Sequence, residues 1–225
     1  GIRDSSVTGV QTCALPISDE KGYFTQEGLD YELTQHALLS KMAVDKTTGK
    51  VENNSVPDNL NGAYQTYEKG RDASISCACH WTVNMAASAH HGQLWGEAYS
   101  VSPCGIFVPE KSNIRKPEDL ADVPVHVGYQ SGSHYTTIQA LEPFLPEAKI
   151  KLKFGGGPWD RVDQLLNDLA PAATVFGMQY YMMEQLGFRK ILDCTFMIAA
   201  LVPPGVDLAD VRKYYRALKR AQADI

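Results

Sequence analysis

The stretch that most constrains this chain runs from Asp122 to Leu145 and reads DVPVHVGYQSGSHYTTIQALEPFL. Val123, Val125 and Val127 alternate with smaller or polar residues, the period of a β-strand. Gly128 and Gly132 bracket a small polar turn, and either Ser131 or Ser133 can cap a helix that follows it. Ile138, Leu141 and Leu145 then share one helical face, and Glu142-Pro143 loosens its end. Strand, turn and helix start together aim several N–H groups and a positive dipole end at one point. That arrangement suits an anion or a polar ligand oxygen; an ordinary strand-to-helix connection uses the same elements. The stretch is not a dinucleotide fingerprint, because Gly128-x-x-x-Gly132 lacks the G-x-G-x-x-G spacing. It is not a P-loop, because no Gly-Lys-Ser/Thr follows.

Around this stretch the chain repeats the same alternation. Strands are expected over Leu29–Leu33, Ala73–Cys77, Tyr99–Val108 (interrupted at Pro103), Ile150–Phe154 and Ala172–Phe176, with one or two over Lys190–Val202. Helices are expected near Leu60–Gly70, over Trp81–Ala89, and over a segment with Val162, Leu165, Leu166 and Leu169 inward. Two more are expected over Gln179–Leu186 and after a cap at Asp207, the last with Leu208, Val211, Tyr215 and Leu218 inward. Residues 45–58 read as an exposed polar loop. The fold class is therefore α/β with mostly parallel sheets.

The totals exclude several classes. A chain of 225 residues with 44% apolar and 21% charged residues can bury a core. Its net charge of -5 gives no reason to expect nucleic acid. No apolar run approaches the ~20 residues that span a bilayer. Five irregularly spaced cysteines do not make a disulfide scaffold. Cys104 and Cys194 fall near two apolar segments, where the thiols either pair or stay separate.

Residues 1–18, GIRDSSVTGVQTCALPIS, do not read as a signal peptide. Val7 to Ile17 resembles the translation of a sequencing-library adapter, so residues 1–18 are expected to be an artefactual or disordered tail that packs on nothing. The chain is then a metagenomic fragment, incomplete at both ends.

Three segments carry a resemblance: KGYFTQEGLDYEL (Lys21–Leu33), SNIRKPEDLADVPVHVGYQSGSHY (Ser112–Tyr135) and AATVFGMQYYMMEQLGF (Ala172–Phe188). In that order they resemble solute-binding proteins of ABC importers for nitrate, sulfonates, taurine and thiamin-precursor pyrimidines. The resemblance implies a two-lobed periplasmic-binding-protein fold that closes on its ligand like a trap. It implies lobe one over 19–102 with its first strand missing, lobe two over 103–193, and a crossover and helix over 194–225 returning to lobe one. It further implies a monomer, outside the cytoplasm in the periplasm or anchored to a membrane, with a permease as partner and no cofactor.

Ser131, Gly132, Ser133, His134 and Tyr135 match the family's ligand-facing turn. Were His134 to touch an anion, binding would strengthen below its titration. No Arg or Lys lies in the turn, so a small anionic or a heteroaromatic ligand is expected equally. His80 and Trp81, where a strand meets a helix, either contact the ligand or pack. Trp159, after Gly155-Gly156-Gly157-Pro158, and Gln179 and Tyr180, after the AATVFG strand, are further ligand candidates. Cys77-Ala78-Cys79-His80 is too tight for a structural metal pair, and no metal is expected there. No catalytic residue is assigned. The alternative function is an enzyme on the same fold, such as the pyrimidine synthase of thiamin-precursor biosynthesis. For it His80 is loosely placed, but Asp193-Cys194-Thr195-Phe196-Met197 lacks that enzyme's cysteine run.

Overall fold

The computed structural model describes residues 2–6, 14–34, 64, 73–97 and 100–225, with residues 2–6 and Thr34 as backbone. The expected loop over 45–58 lies outside the described residues, as does the helix near 60–70 apart from Tyr64. Two sheets organise the rest. The first contains β1 (Ile2–Ser6), β2 (Tyr31–Thr34), β3 (Ile75–Cys79), β4 (Gln93–Leu94), β5 (Ser100–Ser102) and β11 (Phe196–Val202) in the order β2-β1-β3-β11-β4, with β5 on the start of β11. The second contains β6 (Cys104–Val108), β7 (Pro124–Val127), β8 (Lys151–Phe154), β9 (Ala172–Phe176) and β10 (Arg189–Asp193) in the order β10-β6-β9-β7-β8.

Each sheet has a parallel block, β2-β1-β3 in the first and β9-β7-β8 in the second. The expectation of mostly parallel sheets is corrected at β6, β10 and β11, which pair antiparallel. The reason is the route of the chain. It passes from the first sheet to the second between Ser102 and Cys104, and back between Asp193 and Phe196. A strand that enters a sheet from the end where its neighbours finish must run against them.

The expectation that residues 1–18 pack on nothing is corrected for the described residues among them, 2–6 and 14–18. β1 fills the place between β2 and β3, in register Asp4 with Ile75 and Arg3 with Glu32. Helix α1 (Ala14–Glu20) follows it, and Ala14, Leu15 and Ser18 are buried. The Ser18 hydroxyl donates to the carbonyl of Ala217 at 3.2 Å.

The remaining helices are α2 (Tyr23–Gln26), α3 (His80–Ser88), α4 (Gly132–Leu141), α5 (Pro158–Leu166), α6 (Met178–Gln185) and α7 (Leu208–Gln222). Asp207 caps α7 by accepting from the Ala209 N–H at 2.8 Å. Val211, Tyr214, Tyr215 and Leu218 are buried on its inner face, whereas Leu208, at the first turn, is 40% exposed. The α7 helix packs on α1 and α2 and so ties the end of the chain to its beginning. Strands β3, β6 and β9 are buried along their whole length, because helices cover both faces of the sheets they cross. Among the described residues no helix is long and apolar enough to cross a membrane.

Candidate functional site

The parallel strands β7, β8 and β9 finish at the same edge of the second sheet, and β3 finishes opposite them in the first. The connections leaving these strands therefore meet between the lobes. The turn from Gly128 to Ser131 holds its own shape. The Gly128 N–H donates to Ser133 Oγ at 3.0 Å, Ser131 Oγ donates to the Gly128 carbonyl at 2.8 Å, and the two serine hydroxyls lie 2.8 Å apart. Gln130 adopts φ 44°, a left-handed conformation uncommon for a side-chain-bearing residue. Its N–H is fixed by His134 Nδ1 at 3.2 Å.

Neither serine caps α4 with its side chain. The serines shape the turn instead, and the first bonds of α4 run from the His134 N–H at 3.0 Å and the Tyr135 N–H at 3.3 Å to the Ser131 carbonyl, so only the Gly132 and Ser133 N–H groups precede them. Gly132 sits where the lobes touch. A Cβ at this position would stand 2.7 Å from the Phe196 ring and 2.9 Å from Cys79 Cβ, both in the first sheet.

Facing the turn is the start of α3. Cys79 is its N-cap, its sulfur accepting from the Thr82 N–H at 3.4 Å. Thr82 Oγ1 donates across the lobes to the Gln130 carbonyl at 3.1 Å, and the Tyr135 hydroxyl reaches Met85 Sδ at 3.3 Å. His80 and Trp81 lie with ring centroids 4.8 Å apart, Trp81 and Tyr135 5.9 Å, and Tyr135 and His134 4.8 Å at 14°. Phe154 closes this aromatic band edge-on to His134 at 5.2 Å. Burial pushes the His134 imidazole below its ordinary pKa and the Tyr135 phenol above its own. The indole Nε1 of Trp81 is buried with no hydrogen-bond partner among the described residues.

Beneath the turn lies a residue that the sequence did not single out. Arg161, on α5, is 1% exposed. Its Nε donates to the Thr174 carbonyl at 2.9 Å and its Nη1 to the Gly156 carbonyl at 2.6 Å, and its guanidinium carbon stands 5.7 Å from the centre of the Phe176 ring. A Cβ on Gly128 would be 3.0 Å from Nη1, so the missing side chain is what admits the guanidinium. Nη2 is buried and has no partner among the described residues. Burial pulls the Arg161 pKa down to about 10, which leaves it charged at neutral pH. Asp160, the adjacent carboxylate, accepts from the Gly157 N–H at 2.6 Å. A buried cation with two neutral carbonyl partners is costly unless a further acceptor joins it.

The sequence candidates thus divide. Ser131, Gly132, Ser133, His134 and Tyr135 come together with His80 and Trp81 across the lobes. Trp159 and Gln179 form a separate pair: with the Gln179 amide turned so that its nitrogen donates to the Phe176 carbonyl at 3.0 Å, its oxygen accepts from Trp159 Nε1 at 3.1 Å. Tyr180 is 6% exposed, packs edge-on to Phe107 at 5.3 Å, and receives a hydrogen bond from Lys190 Nζ. Cys77 and Cys79 are core residues of β3. His80 Nδ1 meets the Met197 carbonyl at 3.2 Å. Arg161, Thr82, Met85 and Phe196 are the site residues that sequence reasoning missed. The signal available for Arg161 was its place four residues after Gly155-Gly156-Gly157, on the helix that follows that turn.

No family model matches this chain, and no curated protein matches it. Solved structures do. The alkanesulfonate-binding protein SsuA of Xanthomonas axonopodis pv. citri, bound to MOPS, superposes with a TM-score of 0.67 at 14% identity, over 98% of this chain and 72% of that one. The Candida albicans CA3427 gene product, described as having the generic periplasmic binding protein fold, gives 0.69 at 10% identity over 98% and 70%. The substrate-binding protein of an amino acid ABC transporter gives 0.60 at 13% over 99% and 93%. The fold of this chain is that of the periplasmic binding proteins.

Proposed function

We propose that this chain is the solute-binding component of an ABC importer, located outside the cytoplasm, which holds a small anion between its lobes and delivers it to a permease. The observation that carries the reading is Arg161 Nη2, a buried donor with no partner among the described residues, on a charged group directly beneath the interlobe turn. The Trp81 Nε1 adds a donor with no partner among the described residues, and the Gly132 and Ser133 N–H groups stand ahead of the first intrahelical bonds of α4. A carboxylate, sulfonate or phosphate oxygen would satisfy them. The band of Trp81, Tyr135 and His134 suits a flat or apolar remainder of the same ligand. The fold shared with sulfonate- and amino-acid-binding proteins supports a solute-binding role. No observation favours the enzyme alternative, since His80, its one candidate, spends Nδ1 on the Met197 carbonyl.

A thermal-shift screen of small sulfonates, carboxylates, phosphates and neutral pyrimidines tests this. Ligand at a hundred times its Kd adds about 2.7 kcal/mol to folding stability, a readily measured rise. At least one anion is expected to produce it. A rise with neutral pyrimidines alone would contradict the anion, and no rise with any solute would contradict the binding role.

A further inference from the structure

The two chain passages between the lobes carry one cysteine each. In the β10–β6 ladder Asp193 pairs with Gly105, so the next rung sets Cys194 opposite Cys104. The Cys194 N–H donates to the Cys104 carbonyl at 2.8 Å, and Cys194 Sγ approaches Cys104 Sγ to 3.4 Å. Residues on facing rungs of an antiparallel ladder have Cα atoms about 5.5 Å apart, inside the range a disulfide spans. Cys104 is 0% and Cys194 6% exposed. Thr136 Oγ1, from α4, holds the Cys194 carbonyl at 2.7 Å and fixes that passage against the second lobe.

We propose that Cys104 and Cys194 form a disulfide that staples the two passages together and closes residues 104–194 into a covalent ring containing the entire second sheet. The oxidant is a disulfide of the glutathione or thiol–disulfide oxidoreductase class. The thiolate of Cys194, the more accessible partner, attacks it, forming a mixed disulfide and releasing one external thiol. Cys104 then attacks Cys194 Sγ and expels the second external thiol. Two protein thiols are oxidised, one external disulfide is reduced, and the two protein protons leave on the external thiols. Burial and the neighbouring thiol hold the Cys104 pKa well above its ordinary value, while the Arg161 charge opposes them. The cross-link ties together the two passages by which the chain crosses between the lobes.

The test is peptide mapping of the whole chain, equilibrated in glutathione buffers of graded ratio, unfolded and alkylated with N-ethylmaleimide. The expected result is a peptide joining Cys104 to Cys194, two hydrogens lighter than its reduced parts, with Cys77 and Cys79 alkylated. Dithiothreitol should lower the oxidised protein's melting midpoint by about 5–10 °C. Cys104→Ser should abolish the cross-link and the dithiothreitol effect, and Cys79→Ser should leave both. Should Cys104→Ser fail to fold, the wild-type peptide map decides alone. Alkylation of both Cys104 and Cys194 at every glutathione ratio, or cross-links from either to Cys77 or Cys79, would overturn the proposal. Neither result depends on whether a solute binds.

Discussion

Gly132 of the second lobe lies so close to Phe196 of the first that one added methyl group would sit 2.7 Å from its ring. The sequence reading assigned this glycine to ligand approach. Its contacts assign it to lobe approach: Cys79 and Phe196 close over it from the first sheet. The two roles are compatible, because the N–H groups of the helix it begins face the same boundary.

Gly132→Ala should therefore destabilise the closed arrangement by about 1–3 kcal/mol, the usual cost of overpacking, and Gly132→Val by more. Phe196→Ala should cost stability alone but recover part of the loss when combined with Gly132→Ala. Urea unfolding of the four proteins measures the coupling; strictly additive losses would mean that the two residues do not press on each other.

Arg161→Ala leaves the Thr174 and Gly156 carbonyls without their charged donor and opens a cavity in the second lobe. A loss of about 3–5 kcal/mol is expected in chemical denaturation. Arg161→Met keeps the volume without the charge and should fold with a smaller penalty, so it is the variant for binding studies.

Folding should weaken in mild acid. The folded-state pKa of His134 is depressed by burial, and that of His126 by burial against the opposing effect of its Gln164 hydrogen bond. For a base with a lowered folded pKa, stability is fully present above the unfolded value of about 6.5 and is lost as pH falls toward the folded one. His134 Nδ1 accepts from the Gln130 N–H, so protonating it also breaks the turn. That geometry reverses the expectation that anion binding strengthens in acid. Denaturation midpoints between pH 7.5 and 5 should fall, and His134→Gln should flatten part of the slope; an unchanged slope would leave His126 as the source.

Leu15→Ala should cost about 2–3 kcal/mol, because Leu15 is 6% exposed in the helix that packs on α7. Deleting residues 1–20 removes α1 and the strand between β2 and β3, and should cost more. An unchanged melting midpoint in the deletion would mean that the first sheet holds without them.

What the sequence made legible was the order of elements and the location of the turn, because period-two valines and a Gly/Ser turn are local signals. The helix over Pro158–Leu166 was legible but its inner face was not. Leu166 and Leu169 read as core yet are 49% and 52% exposed, while Arg161 reads as surface and is buried. Hydropathy alone cannot show that two glycine turns meet to make room for a guanidinium. The strand Ile2–Ser6 was missed for a similar reason. A strand flanked on both sides is ordinarily a near-continuous apolar run, and IRDSS is mostly polar. Tyr180 looked like a cleft residue because it follows a strand end, but one helical step turns it onto Phe107.

The most direct test of the interlobe anion site is titration calorimetry at pH 7.5 with the best anion from the screen, comparing the parent with Arg161→Met. The account predicts saturable one-to-one binding to the parent and at least a tenfold loss in Arg161→Met, as expected when a charge-assisted hydrogen bond worth about 1.5–3 kcal/mol is removed. Equal affinity in the two proteins, with Arg161→Met folded, would contradict it.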